Sequence, residues 1–401
     1  MTSRIYYTDP YCRRFDAVVT RALEHDGRPA AMLDRTAFYP SSGGQPFDTG
    51  RLGGVDVIET VDAGDEVVHV RSSPLAEGAT VRGEIDWDRR FDHMQQHTGQ
   101  HVLSAAFDRL FQNRTMSFHM GAEDATIDLA REMSWEQIAR AEEDANRVLW
   151  DDREVSIRFV SAEEAAALPL RKEPSREGTL RLIEVTGFDL SACGGTHVAR
   201  TGAIGAIVVA GAEKFKGGTR ITFACGGRAL RVFRTLHESV AASVRALSVL
   251  PRELPAAIER MQAEAKDLRR TVKKCQETLA GHEAARLARE ARGASGASGE
   301  ETLLIVEALD GWDANGLKAI ASAITAGTRA AVALFSTTTP IAVVIARSAG
   351  VPIDANAILR ALTERFGGRG GGKAELSQGG GLAGDLAEIR QAARLLISDP
   401  S

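Results

Sequence analysis

The sequence lacks the features of a membrane or secreted protein. No stretch approaches the roughly 20 consecutive apolar residues of a membrane-spanning helix. Met1-Thr2-Ser3-Arg4 leads directly into a strand-like run, without the apolar segment of a signal peptide. Cysteine is scarce, with four widely separated residues among 401, which argues against a disulfide framework and predicts reduced thiols. We therefore expect a cytoplasmic protein that does not contact a membrane.

An excess of positive charge is also missing. The 49 basic residues are outnumbered by 54 acidic residues, which gives a net charge of −5. Proteins that bind nucleic acid over much of their surface usually carry a positive net charge. The acidic net charge of this chain is therefore compatible only with a local basic patch. The glycine-rich runs contain no Walker-type lysine-serine pair, so nucleotide hydrolysis is not indicated.

The length of the chain and the change of pattern along it predict several domains. Its 401 residues, 44% of them hydrophobic, suffice for two or three domains with a core each. Up to about residue 88, short β-branched segments alternate with Gly, Asp and Pro, which is typical of a small barrel or sandwich. These segments are Ala30 to Leu33, Gly54 to Val61, Glu66 to Val70 and Thr80 to Ile85.

A glycine-rich segment from Phe38 to Gly50 interrupts these strands. Gly and Pro favour a surface turn between two strands, which is one interpretation. The other interpretation is a loop whose backbone lets a ligand approach closely, with Gln45 supplying a carboxamide to it.

Two histidines lie in a helical segment that follows. Asp92 and Gln95 have the spacing of a capping box, and apolar residues then continue at helical intervals. His97 and His101 therefore fall on one face of the first turns. Gly99 between them costs the helix roughly 1 kcal/mol relative to alanine, so we expect substrate close to the backbone there.

Mixed strands and helices follow as far as about residue 225, which indicates an α+β domain. The strands are predicted at Thr115 to Gly121, Ala125 to Leu129, Val155 to Val160, Leu180 to Val185, Ala206 to Val209 and Arg220 to Ala224. A helix is predicted from Ser134, with Gln137 completing a capping box, to Asp151.

A heptad pattern begins after Pro251. Apolar or small residues recur at alternating steps of three and four from Ile258 to Leu279, with charged residues between them. This pattern is typical of a coiled coil or helical hairpin that serves as a spacer or a dimer arm. A run of Gly, Ala and Ser after residue 292 predicts a flexible linker.

The C-terminal segment alternates strands with helices and predicts a compact α/β domain. Its strands are predicted at Leu303 to Val306, Ala330 to Phe335 and Ile341 to Ala346, and its helices at Asn315 to Ala326, Asp354 to Phe366 and up to Ile397. Two glycine runs, with Arg369 and Lys373 beside them, interrupt this pattern. They are either a disordered linker or a loop whose amides and basic side chains hold phosphates.

The strongest chemical signal combines two short motifs. His97 and His101 form an H-x-x-x-H pair, and Cys193 and His197 form a C-x-x-x-H pair far along the chain. Three imidazoles and one thiolate are the ligand set that tetrahedral zinc prefers, so we predict one zinc ion per chain. Four protein ligands are also typical of a purely structural site. Catalysis would require one ligand to yield or the ion to become five-coordinate.

His119 and Cys225 are two further candidates. His119 either faces solvent on a strand or orients water near the metal, since histidine titrates near neutral pH. Cys225 has no histidine partner at ligand spacing and is interpreted as a packed thiol.

Together these motifs resemble a known family. Gln96-His97-Thr98-Gly99-Gln100-His101 with Cys193-Gly194-Gly195-Thr196-His197 is similar to the zinc motif pair of the alanyl-tRNA synthetase editing domain and of the free-standing AlaX alanyl-tRNA editing proteins. The segment from Phe38 to Gly50 resembles the glycine motif of that family's N-terminal β-barrel domain. Residues 367–381 resemble the end of its DHH-associated C-terminal domain. Because the chain starts within the barrel, it looks like the long free-standing form rather than the synthetase.

The resemblance implies a multidomain α+β fold. Its segments are a small β-barrel domain with the glycine motif at residues 1–90, a zinc-binding α+β editing domain at 91–235, a helical coiled-coil arm at 236–292, a linker at 293–300 and a Gly-rich α/β tRNA-binding domain at 301–401. The implied activity is hydrolysis in trans of the ester in Ser-tRNA(Ala), with Gly-tRNA(Ala) as a second substrate. The implied cofactor is zinc, and ATP is not required.

The resemblance carries the metal ligands over to His97, His101, Cys193 and His197, and serine recognition to Gly43, Gly44 and Gln45. We further expect His97, His101 and His119 to act in catalysis. Thr98, Gln100 and Ser117 are expected to contact substrate, and Arg369 and Lys373 to contact tRNA.

Two rival functions stay open on the residues alone. One is a non-catalytic tRNA-binding protein with a structural zinc, and the other is a metal-dependent hydrolase of a small ester or amide. A tRNA binder of acidic net charge needs its basic residues gathered on one face; those considered are Lys214, Lys216, Arg220, Arg369 and Lys373. Self-association as a homodimer, through the helical arm or the C-terminal domain, is a further expectation.

Overall fold

Short strands separated by tight turns build the first part of the chain. The computed structural model describes residues 1–171, 178–295 and 301–399. The first strands are β1 (Ser3–Arg4), β2 (Arg14–His25), β3 (Arg28–Leu33), β4 (Arg35–Thr36), β5 (Gly50–Leu52), β6 (Val55–Ala63), β7 (Glu66–Arg71) and β8 (Thr80–Ile85). Six of them close into a barrel in the order β2-β3-β7-β6-β5-β8. β2 is absent from the strands predicted above, although Phe15, Ala17 and Val19 alternate into the barrel core.

Helix α1 (Trp87–Phe111) starts earlier than predicted. Asp86 is its N-cap and accepts a hydrogen bond from the backbone N–H of Arg89. The predicted capping box at Asp92 is wrong, because the Asp92 carboxylate pairs with Arg228 at 2.7 Å instead. His97 and His101 therefore lie near the middle of the helix, where every backbone N–H has an intrahelical acceptor.

A buried ion pair joins α1 to the glycine-rich segment of the barrel. Arg90 pairs with Asp48, and both side chains are fully buried. Arg90 also donates to the carbonyls of Pro10 and Ala37, and Asp48 accepts from the backbone N–H of Tyr39. Because loss of either partner would leave an uncompensated buried charge, the pair fixes the glycine-rich segment against the helix.

Two antiparallel sheets and a second long helix pack around α1. The elements that follow it are β9 (Thr115–Met120), β10 (Ala125–Leu129), α2 (Trp135–Trp150), β11 (Val155–Val160), α3 (Ala162–Ala166), β12 (Leu180–Val185), β13 (Asp189–Ala192), β14 (Ile207–Phe215), β15 (Gly218–Cys225) and α4 (Gly226–Leu247). One sheet has the order β14-β15-β10-β9 and the other the order β11-β12-β13. Their inner faces share one apolar core with α1 and α2. The capping box predicted at Ser134 and Gln137 is confirmed.

A mixed sheet with helices on both faces organises the C-terminal part. Its elements are α5 (Leu254–Ser295), β16 (Leu303–Leu309), α6 (Ala314–Gly327), β17 (Ala330–Ser336), β18 (Ile341–Arg347), α7 (Ala355–Phe366), β19 (Arg369–Gly372), β20 (Leu376–Leu382) and α8 (Leu386–Ser398). The strand order is β16-β17-β18-β20-β19. One face packs against α6 and the end of α5, and the other against α7 and α8. Several sheets combined with helices in two compact units, Met1–Ala246 and Leu247–Ser401, confirm the multidomain α+β class.

The C-terminal glycine runs form paired strands, which corrects the predicted conformation of a linker or a loop, whereas phosphate binding stays a prediction. β19 pairs antiparallel with β20. A side chain has no room at Gly370, where an added Cβ would lie 2.6 Å from the carbonyl oxygen of Gln378. Arg369 and Lys373 are exposed in this hairpin.

The apolar residues of the predicted heptad pattern lie on helix α5. They are exposed to solvent in the single chain. The exposed fractions of Met261, Leu268, Val272 and Leu279 are 50%, 65%, 54% and 58%. A coiled-coil arm or dimer therefore stays a prediction. The predicted linker at 293–300 begins inside α5, which runs to Ser295, and its remainder lies outside the described residues. Within the described ranges, none of the helices has the length and apolar character needed to cross a lipid bilayer.

Candidate metal centre

His97, His101, Cys193 and His197 converge on one point. Their ligand atoms all lie within 4.8 Å of one another. The Sγ atom of Cys193 is 3.3 Å from Nε2 of His97 and 3.3 Å from Nε2 of His197. Ligand atoms around a tetrahedral zinc ion lie about 3.4–3.8 Å apart, given bond lengths of about 2.0–2.3 Å. The spacing of Cys193 from His97 and His197, and the donor set of the whole group, therefore fit zinc.

The two motifs are brought together by a helix and a tight loop. His97 and His101 lie one turn apart on α1, so both imidazoles project from the same face. The loop that carries Cys193 passes directly over the helix, since a Cβ added to Gly195 would lie 2.2 Å from Cε1 of His97. Arg181 fixes this loop by donating to the carbonyls of Cys193 at 2.7 Å and Gly195 at 2.9 Å.

Each histidine presents Nε2 to the metal position because its Nδ1 already has a hydrogen-bond partner. A partner of this kind fixes the tautomer and the ring orientation of a metal-binding histidine. The Nδ1 contacts are His97 to Oε1 of Gln45 at 2.8 Å, His101 to Oδ2 of Asp189 at 2.9 Å and His197 to Oγ of Thr98 at 3.2 Å.

The electrostatic balance favours a thiolate at Cys193. Burial raises the pKa of Cys193, but the three histidines around it, including hydrogen bonds from His101 and His197, outweigh burial and hold that pKa well below its ordinary value. Burial lowers the pKa of His197 to about 3, so its imidazole is neutral. Burial also lowers the pKa of His101, yet its contacts with Asp189 and Cys193 prevail and raise it to about 9. Thiolates and neutral imidazoles are the forms that bind metal, so binding would displace the His101 proton.

A cavity of about 350 Å³ opens onto this group. His97, His101 and Cys193 line it, whereas His197 is not among its lining residues. One wall comes from β9, at Thr115 to Phe118, and the other from the sheet β11-β12-β13. The metal position is therefore reachable from a cleft between two sheets.

Three of the six residues predicted to contact substrate line this cavity: Gly43, Gln100 and Ser117. The other three are not among its lining residues and make contacts elsewhere. Gln45 binds His97, Thr98 binds His197, and Gly44 packs against β9, where an added Cβ would lie 2.7 Å from the carbonyl oxygen of Phe118.

The structure does not bring His119 to the metal group, by which we mean His97, His101, Cys193 and His197. Its side chain is exposed on β9, opposite Thr126, and does not line the cavity. The expectation of substrate beside Gly99 is wrong as well, because an added Cβ would lie 2.2 Å from Sγ of Cys225. Cys225 is fully buried, and burial raises its pKa, which confirms a packed thiol.

Asp189 and Arg171 are site residues that were not predicted from the sequence. Asp189 is fully buried and pairs with both His101 and Arg171, the latter at 2.6 Å. The pairing holds the pKa of Asp189 below its ordinary value although burial opposes this. A signal was present, since Asp189 and Ser191 lie at alternate positions before Cys193 and so share a face of the strand.

Comparisons with known proteins match both halves of the chain. The family model described as threonyl and alanyl tRNA synthetase second additional domain matches residues 180–222, and the DHHA1 domain model matches residues 301–399. The chain is 31% identical over 392 residues to the alanyl-tRNA editing protein AlaX-L of Pyrococcus horikoshii, and the alignment covers 94% of each protein. It is 32% identical over 411 residues to the alanine–tRNA ligase of Pyrococcus abyssi, covering 99% of this chain and 43% of the ligase. The solved C-Ala domain of Aquifex aeolicus alanyl-tRNA synthetase is 24% identical and covers 26% of this chain and 97% of that domain, with a TM-score of 0.24.

Proposed function

The chain belongs to the family of the AlaX-L alanyl-tRNA editing proteins, and we propose that it hydrolyses the ester bond of mischarged Ser-tRNA(Ala), with Gly-tRNA(Ala) as a second substrate. The proposed cofactor is one zinc ion per chain on His97, His101, Cys193 and His197. The observation that carries this proposal is that three of the four ligands line a cavity of about 350 Å³. A purely structural zinc site has no need of such a cavity, whereas a substrate site does.

The proposed chemistry divides between the ion and the residues around it. When bound, the ion supplies Lewis-acid chemistry that polarises an ester carbonyl. Gln45 and Asp189 hold the rings of His97 and His101, so the ligand geometry is set before substrate arrives. Such preorganisation means that little reorganisation is needed during the reaction.

Recognition of the aminoacyl group is assigned to the cavity walls. Gln100 and Ser117 are the polar residues among the predicted substrate residues that line the cavity, and we assign them to the serine hydroxyl. Gly43 lines the cavity without a side chain, which leaves space for the α-amino group. His119 lies outside the lining, so no catalytic role is proposed for it.

Binding of the tRNA body is assigned to the C-terminal unit. Arg369 and Lys373 are exposed in the hairpin of β19 and β20 and are available to phosphates. Because the net charge of the chain is −5, we expect weak, strongly salt-dependent binding. Replacing both residues by Gln should weaken binding of uncharged tRNA(Ala) and reduce the slope of log affinity against log salt by about one to two.

The second candidate function is a non-catalytic tRNA-binding protein with a structural zinc, favoured by the presence of four protein ligands. One experiment separates the two. Purified protein is incubated with Ser-, Gly- and Ala-tRNA(Ala), before and after removal of metal by a chelator and after zinc is restored. The proposal predicts release of serine that disappears with the metal and returns with zinc. Absence of release by the zinc-loaded protein, or full release after complete removal, would refute it.

A further inference from the structure

Two large apolar side chains stand exposed in the cavity that leads to the metal group. Met116 is 70% exposed and Phe159 is 49% exposed, and both line this cavity. They come from β9 and β11, which belong to different sheets. Scattered exposed apolar residues need no explanation, but two that line the same cleft mark a place where a ligand presents an apolar surface.

Met116 occupies an irregular position on its strand. In the pairing of β9 with β10, Thr115 opposes Leu129 and Ser117 opposes Asp128, so Met116 is the extra residue of a β-bulge. Bulges next to active sites commonly redirect a side chain. Residues on both sides of the bulge, from Thr115 to Phe118, line the cavity.

Phe159 lies beside Arg181, which contacts the loop of Cys193. In the register of β11 with β12, Phe159 opposes Arg181, and directly opposed residues stand side by side on one face of the sheet. Arg181 in turn holds the loop of Cys193 by its carbonyls. An aromatic ring is thus placed one side chain away from the ligand loop.

Arg181 carries a second sign of a missing ligand. It is 8% exposed, and its Nη2 atom has no hydrogen-bond partner among the described residues. A buried donor without a partner costs about 1–3 kcal/mol and calls for an acceptor. Because Arg181 lines the same cavity as Phe159, a bound ligand can supply that acceptor.

We propose that Phe159, with Met116 on the opposite wall, forms the binding site for the terminal adenine of the aminoacyl-tRNA. This inference rests on the proposed function, because an amino acid esterified to the 3′-terminal ribose places the base one sugar ring away from the ester. With the ester at the metal group, the base extends along the cleft toward its mouth. Unstacked bases bind on aromatic side chains, and a ribose oxygen is the acceptor that we assign to Nη2 of Arg181.

The test uses the full zinc-loaded chain and two small substrates. One is the seryl ester of adenosine, and the other is the seryl ester of methyl riboside, which lacks a base. Phe159→Ala should raise KM for seryl-adenosine about tenfold while kcat stays within about twofold, since stacking on one base is worth that order of affinity. Phe159→Trp should restore the low KM. KM for the riboside ester should be the same in wild type and Phe159→Ala.

The matched control is Phe233→Ala. Phe233 is a 64% exposed phenylalanine on α4 that does not line the cavity, so its variant should behave as wild type on both esters. Zinc content, measured by elemental analysis, should be unchanged in all variants.

The outcomes distinguish this inference from the proposed function. If wild type hydrolyses both esters and Phe159→Ala leaves KM for seryl-adenosine unchanged, the adenine site is refuted and the proposed function stands. An equal rise in KM for both esters would also refute base stacking. If zinc-loaded wild type hydrolyses neither ester nor Ser-tRNA(Ala), the proposed function fails, and the adenine site with it.

Discussion

Gln45 and His97 lie 52 residues apart in the chain, and Oε1 of Gln45 accepts a hydrogen bond from Nδ1 of His97 at 2.8 Å. The same oxygen accepts from the backbone N–H of Thr196 at 3.1 Å, and Nε2 of Gln45 donates to the Thr196 hydroxyl at 2.8 Å. One buried carboxamide therefore connects the glycine-rich segment, helix α1 and the loop between Cys193 and His197.

Replacing Gln45 by Ala should weaken zinc binding about 10–100-fold, because loss of a hydrogen-bond partner frees the tautomer and orientation of a metal-binding imidazole. The measurement is the zinc dissociation constant by competition with a chromophoric chelator. Gln276→Ala, at an exposed position on α5, is the matched control. Equal zinc affinity of Gln45→Ala and wild type would show that Gln45 does not position the ligand.

Replacing Asp189 by Asn should destabilise the fold by about 3–5 kcal/mol, because it leaves the partners of a buried carboxylate uncompensated. Asp189 is fully buried against His101 and Arg171. Urea denaturation of the full chain provides the measurement. The control is Glu184→Gln on the same sheet, since Glu184 is 32% exposed in its pair with Arg158 and an exposed pair contributes about 0–1 kcal/mol. Similar losses in the two variants would contradict the assignment of Asp189.

Replacing Cys193 by Ala should lower the zinc content from one ion per chain, because it removes the thiolate from a four-ligand set. Elemental analysis of dialysed protein is the measurement. Cys275→Ala, at an exposed cysteine outside the group, should retain the wild-type content. Retention of one zinc ion by Cys193→Ala would remove Cys193 from the ligand set.

Replacing Gly99 by Ala should destabilise the protein although alanine favours a helix. The gain in helix propensity is about 1 kcal/mol, but the new Cβ would lie 2.2 Å from Sγ of Cys225. Overpacking of this kind costs about 1–3 kcal/mol, so we expect a net loss measured by urea denaturation. Adding Cys225→Ala removes the clashing sulfur and should recover part of the loss. A Gly99→Ala protein more stable than wild type would mean that the helix and β15 separate at little cost.

Acid should destabilise the barrel through His69. Burial lowers the pKa of His69 from 6.5 to about 4, and the neutral ring contacts Thr36 at 2.8 Å and the carbonyl of Ala31 at 3.1 Å. Because the unfolded chain takes up the proton at higher pH than the folded chain, the stability from this group is complete above pH 6.5 and falls as the pH drops toward 4. The loss is about 1.4 kcal/mol per pH unit in that window.

The measurement for His69 is the free energy of unfolding at several pH values between 7 and 4. His69→Asn should be less stable than wild type at neutral pH. Its free energy of unfolding should fall less steeply with decreasing pH, because the variant takes up one proton fewer on unfolding. Parallel declines in the two proteins would show that other groups cause the acid sensitivity.

Local patterns in the sequence were sufficient to pick out the four residues that converge on one point and most of the long elements. Helical spacing alone places the two histidines of the H-x-x-x-H pair on one face. The capping box at Ser134 depends only on residues within one turn of the helix. The start of α1 was mistaken because Asp92 has a partner, Arg228, that lies 136 residues away. The C-terminal glycine hairpin was missed because its glycines serve close packing of two strands rather than flexibility.

The sequence by itself determined which four side chains can hold a metal, because residue type and the spacing of the two short motifs are local properties of the chain. Only the tertiary structure decided which neighbours line the cavity beside them. Gln45 and Thr98 turn toward the histidines, whereas Gly43, Gln100 and Ser117 line the cavity. The physical reason is that a polar side chain, once buried, must satisfy its hydrogen bonds. The partners that satisfy Gln45 and Thr98 come from segments that meet only when the chain has folded.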